Sequence, residues 1–169
     1  MNISLLEQVY ACEALQENPL RIEGAFLSFQ GSLLSSLAKA FDTQIASSFC
    51  DFIYPSCIFA APLATHLSYL YNIPLFLSEN NPLFMRPGQK ALIVDVSSSF
   101  EQAISSLARL NISTSDVFLL LEPSPTDNLF FKKSSITAHY LWERESITKA
   151  IQDFIHQNSY PKIHISDIS

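Results

Sequence analysis

Glycine is nearly missing from this chain, with three in 169 residues. Phosphate-cradling loops use glycine for positive φ and for close backbone approach, so a glycine-rich nucleotide loop is disfavoured throughout. Charge is sparse as well, at 15% of residues, and its balance is acidic: ten Lys and Arg against sixteen Asp and Glu, a net −6. Only Lys132 and Lys133 are adjacent among the basic residues. A nucleic-acid groove needs such residues clustered, so that partner is not expected. No apolar run approaches the roughly 18 residues of a membrane span, and no membrane association is expected. The first residues lack the basic and apolar regions of a secretory signal. The three cysteines, Cys12, Cys50 and Cys57, form an odd set without paired spacing, which points to reduced thiols and a cytoplasmic protein. His66, His139, His156 and His164 show no metal-ligand spacing, and no protein-held metal centre is expected.

Hydrophobic residues make up 48% of the chain, enough for one domain with a sizeable core. Ser4-Leu5-Leu6-Glu7 reads as a capping box opening a helix, with Leu5, Leu6, Val9 and Cys12 on one face. Ala25 to Phe29 reads as a short strand. Leu33, Leu34, Leu37, Ala38 and Phe41 have helical spacing. Phe52-Ile53-Tyr54 reads as a buried strand stopped at Pro55. A helix with Pro62 in its first turn then runs to about Tyr71, with Leu63, Ala64, Leu67 and Leu70 inward. Pro74 to Leu77 and Ala91 to Val94 read as strands, separated by a polar loop from Ser78 to Lys90. Ser98-Ser99-Phe100-Glu101 reads as a capping box for a helix with Phe100, Ala103, Ile104, Leu107 and Ala108 on one face. Val117 to Leu121 and Ile136 to Leu141 read as strands, with a turn over Pro123 to Asp127. Ile147, Ala150, Ile151, Phe154 and Ile155 mark a last helix. Strands that are apolar throughout and alternate with helices call for a Rossmann-like α/β fold, with a central, mostly parallel sheet flanked by helices. The expected layout is a single domain over 1–157, with 1–31 as an N-terminal helix-strand segment and 158–169 as a tail.

The most informative corner is Ala91-Leu92-Ile93-Val94-Asp95, followed by Val96-Ser97-Ser98-Ser99 and a helix. A strand ends on a carboxylate, a serine turn follows, and helix amides open toward it. Open α/β sheets bind anions at such corners.

Three stretches in order resemble the type I phosphoribosyltransferase family, most closely its orotate phosphoribosyltransferase branch. Asp51 to Phe76 resembles the family's strand, pyrophosphate loop, helix and next strand, with Ala61-Pro62-Leu63-Ala64 at the helix start. Arg86 to Asn111 resembles its strand, ribose-phosphate loop and helix. Arg21 to Gly31 resembles its N-terminal strand region. The resemblance implies a phosphoribosyltransferase-type fold. It also implies transfer of ribose 5-phosphate from phosphoribosyl pyrophosphate to a base nitrogen, with Mg2+ on the pyrophosphate if activity is retained. Relatives of the orotate type form homodimers, so a homodimer is implied too. On the same grounds Asp95, Ser97, Ser98 and Ser99 are the ribose-phosphate-loop candidates. Ser56 and Cys57 are the pyrophosphate-loop candidates.

The chain departs from that pattern at each loop. Val96 stands where a second acid belongs. Ser97, Ser98 and Ser99 replace Thr and Gly positions in a shortened turn, which offers fewer N–H groups to a phosphate. Ile58 and Phe59 are bulky where the family has small residues. Glu79 stands in a region where the orotate branch has a basic residue, and a carboxylate there repels a polyanion. Lys90 and Arg86 are the nearby cations. No catalytic residue is assigned. The expectation is a phosphoribosyltransferase-like protein with degenerate ligand loops, acting as a binding or interaction module. The alternative is an active phosphoribosyltransferase with altered substrate preference, for which phosphoribosyl pyrophosphate or a nucleotide is the ligand. Several residues carry two readings. Asp95 accepts ribose hydroxyls or caps a helix, and the serines bind phosphate or cap. Cys57 is a nucleophile or a plain thiol, and His66 a base or a surface histidine. Phe130-Phe131 beside Lys132-Lys133 pack inside or form a contact patch.

Overall fold

A computed structural model describes residues 3–11, 15–17, 20–22, 31–45, 48–77, 85–96 and 99–158. The elements are α1 (Ile3–Ala11), β1 (Leu15–Glu17), β2 (Leu20–Ile22), α2 (Gly31–Ala40), α3 (Asp42–Ile45), β3 (Phe52–Pro55), α4 (Ala61–Tyr71), β4 (Lys90–Asp95), α5 (Phe100–Arg109), β5 (Ser113–Leu121), α6 (Pro125–Ser134), β6 (Thr137–Trp142) and α7 (Arg144–Asn158). A single 3-10 turn, Ile58–Ala60, leads into α4.

Strands β3, β4, β5 and β6 form a parallel sheet in that spatial order. Outside β3, Leu75 makes one parallel bridge to Ile53, supported by bonds from Ile53 N–H to the Pro74 carbonyl (2.8 Å) and from Phe76 N–H to the Ile53 carbonyl (3.0 Å). The strand expected over Pro74 to Leu77 is thus reduced to one rung, because Pro74 has no N–H to donate.

Strand residues alternate between the two faces, and each face has its own core. Ile53, Leu92, Val94, Phe118 and Leu120 pack with Leu34, Leu37, Leu63, Leu67, Trp142 and Ile147 from α2, α4, β6 and α7. Leu5, Leu6 and Val9 of α1, with Leu15 and Ile22 of the β1–β2 hairpin, join the same cluster, so the N-terminal segment is part of this layer. On the other face Phe52, Tyr54, Ile93, Val117 and Leu119 meet Phe100, Ala103, Leu107 and Phe131 of α5 and α6. Burying one such Leu, Ile or Phe contributes about 1.5–3 kcal/mol. The result is a helix–sheet–helix sandwich.

Several expectations need correction. The first helix is described from Ile3 and already includes Ser4, so it opens earlier than the capping box expected there. Leu70 is exposed rather than inward. Strand β5 begins at Ser113, because its polar half pairs with Lys90, Ala91 and Leu92 of β4, while β6 joins only from Asp116 onward; pairing overrides propensity. The turn expected over Pro123 to Asp127 is the opening of α6, capped by a reciprocal Ser124–Asp127 box with Pro125 in the first turn. Phe131 is buried in the second core and Phe130 packs against it, so this pair is packing. The hairpin β1–β2, in register Leu15↔Ile22 and Glu17↔Leu20, went unpredicted, although Asn18-Pro19 is a turn dipeptide. The strand expected at Ala25 to Phe29, and Cys12 and Glu79, lie outside the described residues.

Candidate functional site

Chain order reverses at one place in the sheet. After β3 the chain crosses over α4 to the outer rung at Leu75, then returns past β3 to form β4 on its other side. Helix α4 packs on the first core and α5 on the second, so the segments leaving β3 and β4 diverge. In α/β sheets the crevice beyond the carboxyl ends of such strands is the usual ligand position. A Pro87-Gly88 turn sets the entry to β4. Gly88 has φ +87°, and Gln89 N–H bonds the Arg86 carbonyl at 3.2 Å, the geometry of a type II turn.

Asp95, the last residue of β4, is 1% exposed and is the one buried charged residue among the described residues. Its Oδ1 accepts the Ser56 hydroxyl at 2.6 Å. Its Oδ2 accepts the amides of Ser99 at 2.7 Å and Phe100 at 3.1 Å. A buried carboxylate is tolerated only with such partners, and the positive end of α5 adds to them. Asp95 therefore caps α5. Ser99 occupies the cap position by backbone, but its side chain makes no cap bond. Ser97 and Ser98 lie outside the described residues, so the capping box expected from Ser98 is not described.

Ser56 extends the β3–β4 ladder through its N–H to the Val94 carbonyl at 2.9 Å. Ser56 and Asp95, sequence candidates from different loops, are thus brought into direct contact. Cys57 is half-buried and extended (φ −153°, ψ 173°) ahead of the 3-10 turn, with no side-chain cap bond. Ile58 is 76% exposed and Phe59 44%. Val96 is buried. His66 is half-buried on α4.

Two further carboxylates at this edge were missed as a group. Asp127 Oδ2 accepts Ser124 N–H at 3.2 Å and the Ser124 hydroxyl at 2.7 Å at the start of α6. Glu122 Oε2 accepts the Arg144 amide at 3.1 Å at the start of α7, while Arg144 Nε donates to the Glu122 carbonyl at 2.8 Å. The Ser-Pro-Thr-Asp run at 124–127 was the available signal for the first. The second pairs residues far apart in sequence and left none. By contrast α4 opens on Ala60 without a side-chain cap.

Among the described residues no cluster of three or more His, Cys, Asp or Glu is arranged for a metal, and both Asp95 oxygens already accept short bonds; Mg2+ carried on a pyrophosphate would not need such a cluster.

The chain has a phosphoribosyltransferase-type α/β fold. It is similar to the structure of Leishmania donovani UMP synthase, with a TM-score of 0.75 at 14% identity over 90% of this chain and 38% of that one. This chain therefore spans well under half of that protein. It is similar also to orotate phosphoribosyltransferase from Aeropyrum pernix, with a TM-score of 0.68 and 12% identity, covering 88% of this chain and 99% of that one. A third likeness is to orotate phosphoribosyltransferase from Francisella tularensis, with a TM-score of 0.60 and 17% identity, covering 86% and 82%. No family model matches the sequence, and no curated protein matches it.

Proposed function

We propose that this chain is an orotate phosphoribosyltransferase-like protein that has lost transferase turnover and serves as a cytoplasmic binding or interaction module. The observation that carries this reading is the state of Asp95. Its carboxylate is buried and bonded to Ser56, Ser99 and Phe100, so it does not present itself to sugar hydroxyls. Val96 beside it supplies no second acid, and Ile58 and Phe59 crowd the neighbouring loop with apolar surface. Stabilising a glycosyl transition state needs preorganised polar groups aimed at the reacting centre. Here those groups are aimed at each other.

The test is incubation with orotate, phosphoribosyl pyrophosphate and Mg2+, following orotate consumption. No turnover is expected. A rate in the ordinary enzyme range of about 1–1000 s⁻¹ would overturn the reading. A rise in melting temperature with phosphoribosyl pyrophosphate or a nucleotide would favour an active enzyme of altered substrate preference instead.

The interaction side of the reading rests on charge. Positions 52 to 78 contain no Asp, Glu, Lys or Arg, and Ile58, Phe59, Tyr69, Leu70 and Leu77 in this stretch are exposed. Two chains of net −6 meet with least repulsion through an uncharged surface, so the proposed state is a homodimer. Sedimentation should give a dimer at micromolar concentration that Ile58→Ser with Phe59→Ser dissociates. A wild-type monomer would remove this part.

A further inference from the structure

We draw no further inference here: the strongest candidate, the side-chain cluster of Cys50, Asp116 and His139 toward the amino end of the sheet, carries nothing, because Asp116 and His139 are bonded across neighbouring strands, Cys50 is tied to them only through the raised pKa of its thiol, and among the described residues no group of three such side chains is arranged to hold a metal.

Discussion

The Asp95 corner at the carboxyl end of the parallel sheet and the Asp116 cluster toward its amino end use their carboxylates differently, although Asp51, also at the amino end, accepts the Lys90 amide at 2.7 Å. At the carboxyl end Asp95, Glu122 and Asp127 bond backbone amides at the heads of α5, α7 and α6. Those partners are fixed in place and do not titrate. Toward the amino end, Asp116 of β5 bonds the His139 ring at 2.7 Å and the Ser115 hydroxyl at 2.6 Å, with Cys50 close enough to feel its charge. The bonded partners there are side chains. The contrast separates a carboxylate that completes a helix from one that ties neighbouring side chains together. In phosphoribosyltransferase-type folds the carboxyl end is the ligand side, and here both oxygens of its buried acid, Asp95, are taken by the chain's own donors.

The largest expected effect is at Asp95. Asp95→Ala strands a hydroxyl and two amides in a buried site, and should cost about 3–5 kcal/mol by urea denaturation, hydrogen bonds to a charge being worth roughly 1.5–3 kcal/mol each and not additive. A loss below about 1 kcal/mol would mean the corner is solvated, and the contrast between the two ends would disappear.

Next is the bond between Ser56 and Asp95. Ser56→Ala should cost about 1–2 kcal/mol, and the double-mutant cycle with Asp95→Ala should recover most of that as coupling. The matching cycle at the other end, Asp116→Ala with His139→Ala, should give a smaller coupling of about 0.5–1 kcal/mol. Those side chains retain 15% and 18% exposure, and solvent screens the pair. His139→Ala alone loses more, since the ring also packs edge-on against Phe118 at 4.9 Å. Coupling at Asp116–His139 equal to that at Ser56–Asp95 would erase the distinction.

How much of this was legible in the sequence follows from the same physics. The continuous apolar runs at 52–54, 91–94 and 117–121 gave the buried parallel strands, because a strand covered on both faces has no polar side to show. The helices α2, α4, α5 and α7 were readable from their spacing. Polar segments were not. Ser113 to Asp116 became strand through pairing with β4, and α6 hid behind a Pro that also suits a turn. Ser56 and Asp95 were each picked out, but from separate loops. Their contact, and the inward commitment of the carboxylate, depend on the lateral pairing of β3 with β4, which local sequence does not encode. Glu122 over α7 escaped for the same reason.

The smallest effect sharpens the contrast through pH. The Cys50 thiol is pushed up from its ordinary 9.0 to about 11, by burial first and then by the charges of Asp116 and Asp51. A thiol whose folded pKa lies above its unfolded value favours folding fully below the unfolded pKa. Stability is then lost as pH climbs from about 9 toward 11, where only the unfolded chain ionises readily. Cys50→Ala should flatten that part of the curve. Tyr71 is pushed up to about 12, by burial and then by its bond to Asp42, so a separate decline between about 10 and 12 should persist in the variant. Asp116→Asn should bring the Cys50 titration back toward 9 and quicken its alkylation by iodoacetamide at pH 8, because one of the two neighbouring charges is gone. Asp95→Asn, at the opposite end, should leave Cys50 untouched. A Cys50 titration that ignores Asp116 but follows Asp95 would show that the two ends of the sheet are not electrostatically separate.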